Sequence, residues 1–213
     1  MYVPGHFEER SIEVMHALIG RHPLGTLVAM TPRGLEASHV PFLLVPPAGE
    51  PTSSPHGTLR CHLARANPLW RDLTSATEVL AVFQGAESYI SPSWYASKVE
   101  HGKVVPTWNY VTVHAYGTAR VVNDVEWLRA LVAGLTERHE AQREGRWRLD
   151  DAPVDYVEKM LHAIVGVEIP VTRMIGSWKL SQNRSAADRE GVIAGLEQEP
   201  TGADMAALVR RTL

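Results

Sequence analysis

A lone cysteine, Cys61, stands in a chain of 213 residues. This excludes an intrachain disulfide and any Cys-x-x-Cys metal or redox pair, and it suits a reducing compartment. Positive charge is also scarce, with 21 Lys and Arg against 24 Asp and Glu and a formal charge of −3. A broad phosphate-binding face needs clustered cations, so the composition argues against a general nucleic-acid binder. No apolar run nears the roughly 18–20 residues that cross a bilayer, and no membrane partner is expected. The opening Met1-Tyr2-Val3-Pro4-Gly5-His6 lacks the basic-then-apolar order of a secretion signal. The expected location is cytoplasmic.

Several chemical signatures are missing too. Neither G-x-G-x-x-G nor G-x-x-x-x-G-K-[ST] occurs, and there is no G-x-S-x-G elbow. His139-Glu140 begins like a zinc-binding H-E-x-x-H, but Arg143 stands where the second histidine belongs. Glu158 and His162 read as a surface pair one helical turn apart, and Tyr95 with Lys98 reads as loop packing rather than a catalytic couple.

What is present is a globular composition, 45% hydrophobic, with 10 His and 6 Trp beside only 3 Phe. Ile12, Met15, Leu18 and Ile19 fall at helical spacing in an opening helix over Glu8–Gly20. A strand pair, Leu24–Met30 and Glu36–Val45, turns at Thr31-Pro32-Arg33-Gly34, and Pro46–Pro55 reads as a loop. Strands are expected at Gly57–Leu63 and Val79–Phe83, with a short helix over Pro68–Thr74 between them.

Tyr110–Val122 reads as a further strand with Val111, Val113 and Ala115 on one face and Thr112, His114 and Tyr116 on the other, and Gly117 allows a bulge or a close backbone approach. Asn123 or Asp124 caps a helix striped by Trp127, Leu128, Leu131, Val132 and Leu135. A second helix opens at Asp151-Ala152-Pro153, carries Val154, Val157, Leu161 and Ile164, and has Gly166 near its end. A strand over Val167–Ile175, a polar Lys179–Arg184 segment and C-terminal helices complete the chain, with Thr201 and Asp204 as an acidic capping box. Runs of strands with few crossover helices fit an antiparallel barrel better than a parallel sheet.

Polar and aromatic residues concentrate in three places: Ser38–Phe42, His62–Trp70, and Tyr89–Tyr95 continuing to Pro106–Tyr110. A flat heteroaromatic ligand with a phosphate tail needs such parts: aromatic or apolar walls, amides for a polar edge, and a cation. Arg65, just before an expected helix start, is the phosphate candidate; a surface ion pair is its plainer role.

Six ordered segments carry a resemblance. Met1–Phe7, His39–Leu43, His62–Trp70, Tyr89–Tyr95, Val105–Tyr110 and Lys179-Leu180-Ser181-Gln182-Asn183 resemble the successive signatures of the PaiB family of FMN-binding negative transcriptional regulators. The likeness runs from residue 1 to about Arg184. It implies an α+β, mainly antiparallel protein: a split β-barrel of the FMN-binding type, similar to pyridoxamine phosphate oxidase-like proteins, with peripheral and C-terminal helices. A barrel domain over residues 1–184 would include a helical insertion at about 124–166, and residues 185–213 would form a helical extension.

The resemblance further implies a homodimer with FMN at the subunit interface. Ser38, His39, Val40 and Pro41 would line the isoalloxazine, Arg65 and Asn67 would lie near the ribityl phosphate, and His62 would lie between them. Tyr89, Ser91, Thr107, Trp108 and Asn109 would complete the pocket, with Lys179, Gln182 and Asn183 as a polar edge. For His39 and His62 the plainer role is a hydrogen-bonded strand histidine; for Trp94 and Trp108 it is packing. Three positions depart from the family pattern: Cys61 for glycine, Ala86 for proline, and Ser177-Trp178 before Lys179 where a second lysine is common.

The family role is repression of genes for secreted proteases and sporulation, which makes DNA a candidate partner. Yet no helix-turn-helix stands out, and Arg210-Arg211 is little basic surface. The alternatives are an FMN-dependent oxidoreductase acting on a small molecule, for which no catalytic residue is identifiable, and a haem-binding split barrel using the histidines.

Overall fold

The structure, a computed structural model, describes residues 1–47, 54–73 and 77–213. Its strands are β1 (Glu8–Glu9), β2 (Leu24–Thr31), β3 (Gly34–Pro41), β4 (Leu43–Val45), β5 (Thr58–Ala64), β6 (Glu78–Ile90), β7 (Thr107–Thr118), β8 (Arg120–Val122) and β9 (Ile164–Lys179). Its helices are α1 (Ile12–Arg21), α2 (Leu69–Asp72), α3 (Ser97–His101), α4 (Val125–Glu140), α5 (Val154–His162), α6 (Ala186–Leu196) and α7 (Ala203–Arg210). The hydrogen-bonded strand order is β3-β2-β6-β7-β9-β5-β4, with β1 and β8 added along β9. The described pairings β2/β3, β2/β6, β4/β5, β5/β9, β1/β9 and β8/β9 are all antiparallel. The chain divides into two compact units, one of Ile19–Phe83 and His114–Met174, the other of Met1–Leu18, Gln84–Val113 and Ile175–Leu213.

In the first unit, alternation builds the sheet. Gly25, Leu27, Ala29 and Thr31 of β2 are buried while Leu24 and Met30 are exposed. The Pro32-Arg33-Gly34 turn closes as its composition implies, with Gly34 at φ 109°. Asp124 caps α4, its carboxylate accepting from the Trp127 N–H at 2.7 Å. Leu128 then packs with Val157 and Leu161 of α5; of the stripe expected on α5, Val154 is instead 69% exposed and Ile164 falls beyond the helix, in β9. Glu168 of β9 is buried and accepts from both Arg60 and Arg120. Burial works to raise its carboxyl, but Arg120 and then Arg60 outweigh that and hold it below its ordinary value. The Arg60 guanidinium also lies 5.6 Å from the Trp127 ring centroid.

In the second unit, Glu8 and Glu9 pair with Ser177 and Gly176. Asp188 of α6, itself 4% exposed, accepts from the N–H and hydroxyl of Ser97 at 2.9 and 3.0 Å. Ser185 caps α6 through the Asp188 N–H. Val192, Ile193 and Leu196 of α6 and Met205, Ala206 and Val209 of α7 are buried.

Several expectations change. Glu8–Glu9 is strand, because pairing with β9 captures it, and α1 begins only at Ile12. The strand expected at Val79–Phe83 extends to Ile90, and that at Val167–Ile175 spans Ile164–Lys179, so Tyr89 and Lys179 are strand residues. Gly166 does not end a helix: α5 stops at His162, and Gly166 lies in β9, where a Cβ would come within 2.3 Å of the Trp127 ring. Gly117 does mark a close approach, since a Cβ there would fall 2.1 Å from the Pro170 carbonyl oxygen. The Thr201–Asp204 capping box is not formed; Gly202 takes the N-cap of α7 without a side-chain hydrogen bond. Much of the expected Pro46–Pro55 loop, and Thr74, lie outside the described residues.

Candidate functional site

The expected site residues fall into two groups, one in each unit. In the first, β3 carries Ser38, half-buried, His39, exposed, and Val40, buried, ahead of Pro41. Asn67 reaches this strand, its amide donating to the Ser38 hydroxyl at 3.2 Å, while its Oδ1 accepts from the Leu69 N–H at 3.0 Å. That second bond removes the anion-binding role expected of the helix start. Helix α2 is only four residues long, and Asn67 already takes its leading N–H.

Arg65 is held firmly. Its Nε donates to the His162 carbonyl at 2.9 Å, one terminal nitrogen to Asn123 Oδ1 at 3.1 Å, and the other to the Ile164 carbonyl at 2.8 Å. All of these acceptors are neutral, so the hydrogen bonds fix the cation without neutralising it. Trp70 adds to the clamp, donating its indole N–H to the Arg65 carbonyl at 3.0 Å.

His62 of β5 opens on a cavity of about 320 Å3 against α4, bordered also by Pro41, Val132 and Leu135. Its Nδ1 is buried and has no hydrogen-bond partner among the described residues. Burial lowers the imidazole below its ordinary value, so the ring is neutral at neutral pH.

The second group sits where β7 meets the end of β9. Lys179 donates to the Thr107 hydroxyl and, at 2.8 Å, to the Trp108 carbonyl. Burial and then the charge of Arg184 lower its ammonium below the usual lysine value. Asn109 is fully buried, and its amide exchanges hydrogen bonds with the Ser181 hydroxyl at 3.0 and 3.3 Å. Gln182 folds back on its own turn, accepting from the Leu180 N–H at 2.7 Å and donating to the Trp178 carbonyl. Asn183 is exposed beside it. Asn109 and Gln182 therefore shape the turn, while Tyr89 and Trp108 stand out from it, 48% and 50% exposed, with ring centroids 6.2 Å apart in an edge contact. Ser91 caps the short Pro92–Trp94 turn through the Ser93 N–H. Trp94 packs on α6 at Gly191 and Gly195, the packing role weighed for it.

Sequence reasoning passed over three participants. Ser181 has φ 65°, the one non-glycine in the left-handed region among the described residues; nothing in its residue type announces this. Arg184, whose guanidinium lies 4.7 Å from the Tyr95 ring centroid, is legible only as a charge near the polar segment. Trp147, on the loop after α4, borders the His62 cavity. Its signal was the failed zinc motif: Glu140 accepts from the Trp147 N–H at 3.3 Å.

Each group by itself offers a cation held by neutral oxygens with an amide and a hydroxyl beside it, chemistry suited to part of a polar, anion-bearing ligand. The strand order, antiparallel throughout its described pairings, belongs to the split β-barrels that bind flavins. The FAD and haem binding protein of Mycobacterium smegmatis shares the fold, with a TM-score of 0.61 at 17% identity over 88% of this chain and 80% of that one. The flavocytochrome Anf3 of Azotobacter vinelandii gives 0.59 at 13% identity, covering 83% and 72%. The family described as "Putative FMN-binding domain" matches residues 1–173, and the chain belongs to it, with FMN as cofactor. The chain is 33% identical over 215 residues to the Protease synthase and sporulation protein PAI 2 of Bacillus subtilis, covering 100% of this chain and 98% of that one. An uncharacterized protein of Emericella nidulans is 34% identical over 95% and 93% of the two chains. The residues present fit the cofactor. Among the described residues, no carboxylate hydrogen-bonds Arg65 or Lys179, and His62 Nδ1 is a buried polar atom without a partner.

Proposed function

We infer that this protein is a homodimeric flavoprotein that acts as a negative regulator of gene expression of the PaiB type. The observation that carries this is the likeness, over its whole length, to a bacterial protein named for protease synthesis and sporulation. Ser38, His39, Val40 and Pro41 form the wall for the isoalloxazine, Arg65 and Asn67 the polar groups near its ribityl phosphate, and His62 the group between them. Tyr89, Ser91, Thr107, Trp108 and Asn109, with Lys179, Gln182 and Asn183, form the second part of the flavin surface, contributed by the other copy. Bound FMN supplies a redox centre that the side chains themselves lack.

The outer face of β3, β2 and β6 supports the homodimer. The register places Met30 opposite Leu35, and Val28 opposite both Ala37 and Leu80. Leu24, Met30 and Leu35 are 65%, 65% and 70% exposed. Such a sheet face calls for a covering surface, and a second copy placed there shields its own equivalent residues by symmetry. Sedimentation velocity should give a dimer that Leu35→Glu dissociates; a wild-type monomer with full FMN affinity would overturn the shared site.

Repression is tested by a gel shift with a promoter fragment at low and high salt, with FMN present and removed. Loss of binding on raising salt is expected of a direct phosphate contact, and no shift at low salt would sink direct repression. A second reading, an FMN-dependent oxidoreductase, is favoured by the neutral His62 ring facing a cavity, and turnover of reduced nicotinamide by the FMN-loaded protein distinguishes it. The visible spectrum of the purified protein separates flavin from haem directly.

A further inference from the structure

Helix α4 has a second face, turned away from the stripe of Leu128, Leu131 and Leu135 that it buries. Arg129, Ala133, Thr136, Glu137 and Glu140 share it at helical spacing, and with residues 146–150 of the following segment they border a cavity of about 340 Å3. The volume suits a small molecule, for which roughly 300–1,000 Å3 is typical. None of the residues assigned to the flavin lines this space.

Its charges are uneven. Arg129, Arg146 and Arg148 all line it. Among the described residues none of these arginines makes a salt bridge, whereas Arg33, Arg60 and Arg120 each hold a carboxylate. Guanidinium groups gathered round a cavity without carboxylate partners favour an anion, which they bind bidentately. The acidic residues limit its charge. Glu140 is already met by Arg143 at 3.5 Å, which leaves Glu137 and Asp150 to set against the three arginines. The excess is one positive charge, so a monoanion is matched and a dianion is not.

Trp147 supplies a flat wall. It is 43% exposed, yet the chain that carries it is tied down: its own N–H donates to Glu140 at 3.3 Å and the Arg148 N–H to Asp151 at 2.7 Å. The Asp151 N–H returns to the Arg148 carbonyl at 3.0 Å. The indole therefore stands beside the cavity on a fixed backbone, which lowers the ordering cost of stacking a ligand ring on it. Ala133 and Leu149 add apolar surface.

We propose that the cavity between α4 and Trp147 binds a planar aromatic monocarboxylate. The carboxylate sits among Arg129, Arg146 and Arg148, and the ring lies on Trp147 against Ala133 and Leu149. This ligand is additional to the flavin, and its site stands apart from the function proposed above.

The probe is 2-naphthoate, a fluorescent bicyclic with a single carboxylate, titrated into the full-length protein both loaded with FMN and stripped of it. One saturable site per chain is expected in both forms. Arg146→Gln and Trp147→Ala should each weaken binding about tenfold. Both residues are exposed, so neither substitution disturbs the core, and Arg146→Gln keeps its flavin, read by absorbance. Uncharged 2-naphthol and the dianion 2-naphthyl phosphate should each bind the wild type about tenfold more weakly than 2-naphthoate, and Glu137→Gln should narrow the gap for the phosphate. Absence of saturable binding to the folded wild type would overturn the proposal, as would binding that Arg146→Gln and Trp147→Ala leave unchanged. Equal affinity for 2-naphthol, or a wild-type preference for the phosphate, would overturn the monoanion. Displacement of naphthoate by FMN would also overturn the proposal, returning the cavity to the cofactor. A protein that proves to hold no flavin still gives a readable naphthoate titration, so the two readings fail separately.

Discussion

Arg65 and Lys179 make a matched pair of cations in different parts of the molecule, and their surroundings separate two roles that look alike in sequence. Each donates to neutral oxygens near a hydroxyl and an amide. Arg65 binds the carbonyls of His162 and Ile164, which lie at the end of α5 and the start of β9. It thereby satisfies backbone groups that a helix terminus leaves open. Lys179 binds one hydroxyl and one carbonyl of a single neighbouring strand and keeps a third N–H for another acceptor. The arginine builds the frame; the lysine leans on it.

The sharpest way to break that contrast is to remove the arginine. Arg65→Ala deletes three charge-assisted bonds, of which that to the Ile164 carbonyl is part-buried, and should lower unfolding stability by about 1–2 kcal/mol. Arg65→Lys keeps the charge but cannot span the same acceptors in one plane, so it should recover less than half of the loss. Urea unfolding of both variants checks this; equal stability of wild type and Arg65→Ala would end the argument for a clamp.

Sequence made some of this legible and hid the rest for definite reasons. Asp124 as a cap, the Leu128–Leu131–Leu135 stripe and the close approach at Gly117 follow from local rules and were readable. Strand ends were not: Glu8–Glu9 and Lys179 become strand because β9 pairs with them from far along the chain, which no local window contains. The motif residues are legible as candidates, but their division into two groups and their division of labour are not. Asn109 and Gln182 carry amides that look like ligand groups, and in three dimensions they hold Ser181 and its turn. Trp147 is hidden because its place depends on Glu140 folding a loop back, and in sequence Glu140 reads only as half of a metal motif.

The turn in the lysine group gives an effect of the same order. Asn109 is fully buried, and its partner Ser181 is held at φ 65°, a conformation that persists only when its surroundings enforce it. Asn109→Ala leaves the Ser181 hydroxyl without its buried partner and should destabilise by about 1–3 kcal/mol. Ser181→Gly loses the same bond but relieves the backbone, so it should be the milder of the two in thermal unfolding. Equal losses would mean that the hydroxyl alone matters and the backbone carries no strain.

Lys179→Met should then separate function from frame. Its side chain is only partly buried, so stability should shift by about 0.5 kcal/mol or less. FMN affinity, followed by quenching of flavin fluorescence, should fall about tenfold if the ammonium meets the phosphate. Arg65→Ala should show the reverse proportion, with most of its effect on folding.

Alkaline pH offers the smallest and most discriminating effect, because the Lys179 ammonium is lowered from its ordinary value. Burial, and then Arg184, lower Lys179 from its ordinary 10.5. As pH rises through that lowered value the ammonium loses its proton, and FMN affinity should decline before pH 10.5 is reached. Stability runs the other way. Within the window between the lowered folded value and the ordinary one, the unfolded chain holds the extra proton. The contribution of Lys179 to stability therefore grows with pH, is complete above the ordinary value, and is lost as pH falls through the folded one. Affinity falling while unfolding stability holds or rises is thus the signature of Lys179 on the phosphate. In Lys179→Arg the decline in affinity should disappear; its persistence there would assign it to another group and leave Arg65 as the phosphate's cation.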